Sequence, residues 1–242
     1  MSRFFVPSSA VANGGVTITG QDARHIALSL RMRTGEELTV CDGTSAVHLC
    51  RIDRITPDAV YCTVLSTDRI ATELPCRVRL YMSIPKADKM ELIIQKATEL
   101  GVWDIIPVKS SRCISRPDDK ALEKKLSRWN SIAREAAMQS GRGHIPTVHS
   151  PVDFSKAVAA CGDSLKLFCY EGDCRMKLAD ALGDGVADIS VFVGPEGGYS
   201  LDEAALAEKH GFITVNLGPR ILRCETAPLY FLSAISYRYE LI

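Results

Sequence analysis

Two stretches of the chain carry more glycine and more charge than local folding requires. The first, VFVGPEGGYSLDEAALAEKHG, ends an apolar run at Gly194 and passes through Pro195, Glu196, Gly197 and Gly198. It then opens a helix at Ser200-x-x-Glu203, the spacing of a capping box. The second, NLGPRILRCETAPLYF, leaves a strand-like run through Gly218-Pro219 and sets Arg220, Arg223, Cys224, Glu225 and Thr226 ahead of an apolar helix. One cap would be enough there, so the surplus groups either brace a turn or hold a ligand. Adjacent glycines let backbone approach a ligand closely, because no Cβ intervenes. The spacing is not G-x-G-x-x-G and no lysine follows the glycines, so neither a dinucleotide fingerprint nor a P-loop is indicated. Glu196 would repel phosphate. A ligand with an adenine, a ribose and a positive centre suits this loop better.

The elements around the two stretches must bring them together. From Cys76 onward, strand-like runs (RVRLYMSI, WDIIPV, LKLFCY, ISVFVG, FITVNLG) alternate with helical ones. KMELIIQKATELG places Met90, Ile93, Ile94, Ala97 and Leu100 on one face and stops at Gly101. A long helix opened by Pro117 runs through Leu122, Leu126, Trp129, Ile132 and Ala136, and PLYFLSAISYRY closes the chain. This alternation predicts an α/β fold with a parallel sheet covered on both faces. Ligands bind beyond the carboxyl ends of such strands. GPEGG follows one strand and LGPRILR the next, so adjacent parallel strands would deliver both loops to one edge. Before residue 74 the pattern is different: GGVTITG, ELTVCDG, AVHLCRID and AVYCTVLS are short strands, interrupted by one helical stretch, DARHIALSLRM. They suggest a small β-barrel or sandwich. DRIATELP reads as a linker, giving expected domains of residues 1–72 and 73–242.

With 242 residues, 46% of them hydrophobic, the chain can bury a substantial core. Its apolar runs are too short for a membrane span, and no secretory leader is evident at Met1. The nine cysteines form no C-x-x-C pair and sit mostly in apolar runs, which argues against a disulfide framework or a zinc site. The expectation is a reducing cytoplasm and no metal. The zero net charge conceals an asymmetry. Residues 1–85 hold 9 basic and 8 acidic groups, residues 86–156 hold 13 and 9, and residues 157–242 hold 7 and 12. The first lysine is Lys86, so every base before it is arginine, whose planar fork suits phosphates and base edges.

Six stretches in order carry a family resemblance: RFFVP at 3–7, HIALSLRMRTGE at 25–36, KADKMELIIQKATELGVWDIIP at 86–107, RWNSIAREAAMQSGR at 128–142, GPEGG at 194–198 and LGPRILRCETA at 217–227. Through them the chain resembles the RsmE-type 16S ribosomal RNA uridine-N3 methyltransferases of the SPOUT superfamily. The resemblance implies a C-terminal SPOUT-type parallel sheet with a deep trefoil knot, preceded by a PUA-like β-barrel that binds RNA. It implies S-adenosylmethionine as cofactor, N3 of one uridine in 16S rRNA of the assembled 30S subunit as target, and a homodimer formed through the C-terminal domain. Carried over by position, the cofactor would meet Pro85, Val193, Gly194, Pro195, Glu196, Gly197, Gly198, Leu217, Gly218, Ile221, Leu222, Cys224, Thr226 and Ala227. Backbone around Leu217, Gly218, Ile221 and Leu222 would enclose the adenine, with Gly194, Glu196 and Gly197 opposite and Pro85 as a third wall. Arg223, Glu225 and Thr226 would fix the loop and face the target base. The chain departs from the family pattern at Cys224, where threonine is usual, and at Ala87, Lys89 and Glu91, where KADKME replaces Lys-Gly-x-Arg-Met-Asp.

Methylating uridine N3 requires loss of its proton and stabilisation of the anion. Arg223 and Arg112 are the candidate anion holders, and Glu196 or Glu225 a candidate base if burial raises its pKa; solvent hydroxide is the other source. A local Arg223–Glu225 ion pair is the structural alternative. RNA contacts are expected from Arg3, Arg24, His25, Arg31 and Arg33, continued by Lys109, Arg112, Arg116 and Arg142. Lys120, Lys124, Lys125 and Arg128 read as a solvated helix face, His144 and His149 as structural, and Trp103 and Trp129 as core. Two other functions fit parts of this pattern. One is a non-catalytic RNA-binding module for ribosome assembly; the other is a methyltransferase of this fold acting on a ribose 2′-hydroxyl or another base.

Overall fold

The computed structural model describes residues 3–43, 46–69, 71–114, 118–172, 174 and 176–242. Arg116 and Pro117, expected to touch RNA and to open a helix, lie outside the described residues. The chain divides into two compact units, Met1–Glu73 with Ala137–His144 and Leu74–Ala136 with Ile145–Ile242.

The first unit is a six-stranded sheet of β1 (Arg3–Phe5), β2 (Val11–Ala12), β3 (Gly15–Thr19), β4 (Glu37–Cys41), β5 (Ala46–Ile55) and β6 (Ala59–Arg69), in the order β1-β4-β5-β6-β3-β2. Among the described residues of this sheet, β1 and β4 pair in parallel and the other neighbours are antiparallel. Alternation sends Val16, Ile18, Leu38, Val40, Ile52 and Val60 into one core with Phe4 and Ile26. The register slips at Leu49/Cys50 and again at Ile52/Arg54, and such bulges bend a long hairpin. The predicted helix DARHIALSLRM is not uniform. It is α-helical only as α1 (Gly20–Arg24), then widens over His25–Ser29, where Leu30 N–H donates to the His25 carbonyl across five residues at 2.9 Å. Arg31 then turns into the left-handed region, at φ 53°. The expected linker DRIATELP also begins inside structure, since Asp68 and Arg69 still pair with Val47 and Ala46.

Arg142, expected among the RNA contacts, is instead a buried brace. Its side chain is 2% exposed, and its guanidinium is paired with Glu73, with Nε at 3.2 Å from Oε2. Glu73 also accepts the amides of Gly143 at 2.9 Å and His144 at 3.2 Å. A buried, paired arginine holds a turn and presents no charge to a polyanion. Arg3 shares this turn, donating to the Gly141 carbonyl.

The second unit is an all-parallel sheet. Its strands are β7 (Arg77–Ser83), β8 (Asp104–Lys109), β9 (Thr147–Val148), β10 (Val152–Asp153), β11 (Leu165–Cys169), β12 (Met176–Lys177), β13 (Asp188–Val193) and β14 (Ile213–Asn216). They run β10-β8-β7-β13-β11-β14-β12, with β9 also on β8. The helices are α2 (Lys89–Glu99), α3 (Asp119–Ser140), α4 (Phe154–Ala160), α5 (Leu178–Ala181), α6 (Leu201–Lys209) and α7 (Thr226–Glu240). Alternate strand residues feed two cores, as predicted for a doubly covered sheet. Val78, Leu80, Met82, Leu167, Ile189 and Val191 meet Ile93 and Ile94 of α2, Trp129 of α3 and Phe231 and Leu232 of α7. Phe168 and Phe192 face the other way, against Phe154 of α4 and Ala204 and Ala207 of α6. Phe192 is fully buried among four aromatic neighbours, Tyr81, Phe154, Phe168 and Phe212, so truncating it to alanine costs about 3–5 kcal/mol. Trp129 is core as expected, whereas Trp103 stays part-exposed beneath Arg77, 4.8 Å from its ring centre. Among the described residues, no helix is long and apolar enough to cross a membrane.

Candidate functional site

The carboxyl ends of β13, β11 and β14 lie at one edge of the second sheet, and a cavity of about 530 Å³ opens there. The expectation that β13 and β14 are neighbours is wrong, because β11 runs between them. The two motif loops therefore face each other across the end of a third strand. Residues 193–196, 198 and 199 form one side, residues 215–224 the other, and Cys169, Tyr170 and Glu171 the floor between them.

Of the residues expected at the cofactor, Val193, Gly194, Pro195, Glu196, Gly198, Leu217, Gly218, Ile221, Leu222, Cys224 and Ala227 line this cavity. Pro85, Gly197 and Thr226 are not part of its lining. Pro85 is buried behind the loop, and the N–H of the next residue, Lys86, donates to Glu196 at 3.1 Å. Gly197 turns its carbonyl to Arg112 Nη1 at 2.6 Å. Thr226 is exposed in the first turn of α7, its N–H donating to the Arg223 carbonyl at 2.8 Å.

The glycine-rich loop is shaped by local sterics. A Cβ on Gly194 would lie 3.2 Å from the Gly198 backbone and 3.3 Å from Tyr199. Gly198 adopts φ 62°, and a Cβ there would lie 2.9 Å from Glu171 Oε1. The loop ends in the predicted capping box: Ser200 Oγ accepts from Glu203 N–H at 3.2 Å, and Glu203 accepts from Ser200 N–H at 2.9 Å. Glu203, 8% exposed, also takes Ser111 N–H at 2.7 Å and Ser111 Oγ–H at 2.9 Å. One carboxylate thus ties the start of α6 to the loop that carries Arg112.

Lys89 is the residue that sequence reasoning undervalued. Its Nζ lies 3.2 Å from Glu196 and 3.0 Å from Glu225, joining the start of α2 to the loops after β13 and before α7. The Cys224 thiol donates to Glu225 at 3.2 Å and approaches Lys89 at 3.8 Å, keeping the donor role of the usual threonine. Hydrogen bonds from Glu225 and then Glu196 raise the Lys89 pKa. Burial alone would raise Glu196, but hydrogen bonds from its own backbone, Lys89 and Lys86 outweigh burial and hold its carboxyl below the ordinary value. Glu225 is likewise pushed up by burial and brought lower overall by its own backbone, Lys89 and Cys224. The condition for either carboxylate to be the base, a pKa raised by burial, is not met. Burial, reinforced by Glu225, pushes the Cys224 thiol up to about 12.

The alternative Arg223–Glu225 pair does not form either, since Glu225 is bound by Lys89. Arg220 and Arg223 line the cavity with exposed side chains that have no hydrogen-bond or ion-pair partner among the described residues. Cys169, Tyr170, Glu171, Tyr199 and Asn216 also line it and were not anticipated. For Cys169, Tyr170 and Glu171 the available signal is the carboxyl end of the predicted strand LKLFCY, which Glu171 and Gly172 follow as a third strand-end loop. In the first unit Arg24, His25, Arg31 and Arg33 are exposed, and in the second Lys109 and Arg112.

Residues 72–236 match the family model described as an RNA methyltransferase domain, and residues 18–65 match one described as an RNA methyltransferase PUA domain. A ribosomal RNA small subunit methyltransferase E of Bacillus subtilis is 39% identical over 236 residues, covering 93% of this chain and 91% of the relative. The chain belongs to the ribosomal RNA small subunit methyltransferase E family. Structural comparison agrees. The crystal structure of a family member from Neisseria gonorrhoeae bound to S-adenosylmethionine aligns with TM-score 0.89 and 34% identity, over 99% of this chain and 98% of that one. A putative methyltransferase from Legionella pneumophila, in complex with the same cofactor, aligns with TM-score 0.88 and 31% identity over 98% and 97%. The first unit contains the PUA segment of this family and the second contains most of the methyltransferase segment.

Proposed function

We propose that the protein transfers a methyl group from S-adenosylmethionine to N3 of one uridine in the RNA of the small ribosomal subunit. The observation that carries this reading is the convergence of both motif loops on one cavity whose glycine-rich loop is neither a dinucleotide fingerprint nor a P-loop. The cavity fits the cofactor chemically: Val193, Leu217, Leu222 and Ala227 supply apolar walls, Glu171 a free acceptor, and Arg220 and Arg223 free cations. Pro85, expected as a wall, contributes only through the backbone that it leads into.

When bound, S-adenosylmethionine supplies an electrophilic methyl on a sulfonium. The protein's part is positioning and electrostatics. The braced loop of residues 194–198 and the backbone of residues 217–222 set the ligand's place, and the apolar walls exclude water. Arg223 presents free N–H donors to the oxygens beside N3 as negative charge develops there. Arg112, tied to Gly197, acts by shaping the loop. Glu196 and Glu225 are ionised and held by Lys89, which makes them weak bases, so the N3 proton leaves to solvent hydroxide. N3 lies on the Watson–Crick edge, so the uridine enters unpaired or flipped out.

Arg24, His25, Arg31 and Arg33, with Lys109 on the second unit, are the proposed RNA contacts. The proposed substrate is the assembled 30S particle, met in the cytoplasm. The proposed dimer uses α7, where Tyr230 and Tyr237, 44% and 61% exposed, share one face, with Leu241, 73% exposed, just past its end. We further propose residues 1–72 as the RNA-binding domain and 73–242 as the catalytic domain, with the knot expected of the family.

The deciding experiment follows labelled methyl from S-adenosylmethionine into small-subunit RNA, naked or in 30S particles from cells lacking the endogenous enzyme. N3-methyluridine, identified by mass spectrometry, is the expected product. A 2′-O-methylated or other nucleoside would move the target, and no incorporation with no cofactor binding would leave an RNA-binding module.

A further inference from the structure

Glu171 belongs to neither motif, yet it stands on the floor of the cavity between them. β11 delivers it there, and the bond from Tyr170 N–H to the Val215 carbonyl at 3.1 Å fixes the backbone just before it. Its carboxylate packs against Gly198 so closely that a Cβ would lie 2.9 Å from Oε1. The glycine at that position therefore makes room for an acid as well as for a turn.

What distinguishes Glu171 from the other acids of the site is its lack of a partner. Glu196 and Glu225 are each bound to Lys89, whereas Glu171 has no ion pair or hydrogen bond among the described residues. An ionised carboxylate only accepts hydrogen bonds. A ligand group seated against it must bring O–H or N–H donors, and a phosphate placed at that spot is repelled, whatever Arg220 and Arg223 offer elsewhere in the cavity.

We propose that Glu171 reads the donors of the bound cofactor and sets its selectivity. It accepts hydrogen bonds from the ribose hydroxyls or the ammonium of S-adenosylmethionine, and its charge disfavours an adenine nucleotide whose phosphate would be seated against it. This rests on the methyltransferase reading above.

Titration calorimetry of the full chain and of Glu171→Gln, with S-adenosylhomocysteine, methylthioadenosine and adenosine monophosphate, tests it. Glutamine keeps the size, and the exposed position leaves folding intact, which melting curves check. The variant should bind S-adenosylhomocysteine about tenfold or more weaker, as for loss of charge-assisted bonds, while its relative affinity for the monophosphate rises. The preference between the two then falls by at least about tenfold. A matching loss with methylthioadenosine assigns the bond to the ribose; a loss seen only with S-adenosylhomocysteine assigns it to the ammonium, and both support the proposal. An unchanged preference overturns it, whether both affinities fall together or neither moves. Failure of the unaltered protein to bind S-adenosylhomocysteine at all overturns the methyltransferase reading along with this one.

Discussion

The two loops that flank the cavity are held in opposite ways. Each residue of the Glu196-Gly197-Gly198 turn meets a different segment. Glu196 is bound by Lys86 and Lys89, Gly197 by Arg112, and Gly198 packs on Glu171. Across from it, Gly218 N–H reaches Asn216 Oδ1 at 3.3 Å and the Arg223 carbonyl anchors α7, but Arg220, Ile221 and Arg223 project freely, Ile221 at 83% exposure. One wall is preformed and the other is adaptable, as expected where a loop must admit a ligand and then face a second substrate. Affinity should therefore depend on the braced wall, and chemistry on the free one.

Arg223→Ala tests that division most severely. It should lower kcat about 10²–10³-fold, the loss typical of removing a donor aimed at developing charge, with cofactor Kd unchanged. Single-turnover kinetics and calorimetry together decide it; a parallel rise in Kd would mean that Arg223 braces the pocket. Lys89→Met should do the reverse. With two carboxylates left unpaired, cofactor affinity should weaken about tenfold or more, and Lys89→Arg should restore it. If Lys89→Met binds cofactor normally, the braced wall does not depend on its ion pairs.

Acid should narrow the gap in stability between the unaltered protein and Lys89→Met. The folded-state pKa values of Glu196 and Glu225 are depressed, so their pairing stabilises the fold above the ordinary glutamate value. That contribution is lost as pH falls through the depressed values. Melting temperatures followed from neutral pH to well below the ordinary glutamate value of about 4.3 should converge; a constant gap would show that Lys89 acts by packing. The smallest effect concerns Ala87, which adopts φ 51° just ahead of Lys89. A left-handed alanine is strained, and the family motif has glycine there, so Ala87→Gly should raise stability by up to about 1 kcal/mol. Denaturant unfolding would read this directly, and a lowered midpoint would exclude strain at that turn.

What could be read from sequence was what depends on neighbours along the chain. Ser200 and Glu203 are three residues apart and specify their own cap, and the repeat of Met90, Ile93, Ile94 and Ala97 specifies the buried face of α2. The same holds for the alternation that splits Phe192 from Val191 and Val193 into different cores. What could not be read was set by distant partners. Nothing near Arg142 announces Glu73, so a buried brace looks like one more surface base. Strand order is not encoded locally either, and the insertion of β11 between β13 and β14 put Glu171 into the site unseen. Lys89 looked like a departure from a motif until Glu196 and Glu225 were found on either side of it.

The same strand order has a consequence for synthesis. β7 lies between β8 and β13, and Arg77 pairs with Asp188. One long edge of β7 therefore stays open until the chain has been made through Val193, an interval on the order of 5–20 s at ordinary translation rates. The first unit also waits, because Glu73 finds its amide partners only once Gly143 and His144 exist. During that interval a nascent chain shows Val78, Leu80 and Met82 with a strand on one side at most, which is the surface that chaperones hold and that aggregates share. A protein whose proposed work is on the ribosome must therefore be almost completely translated by one before its own site can form.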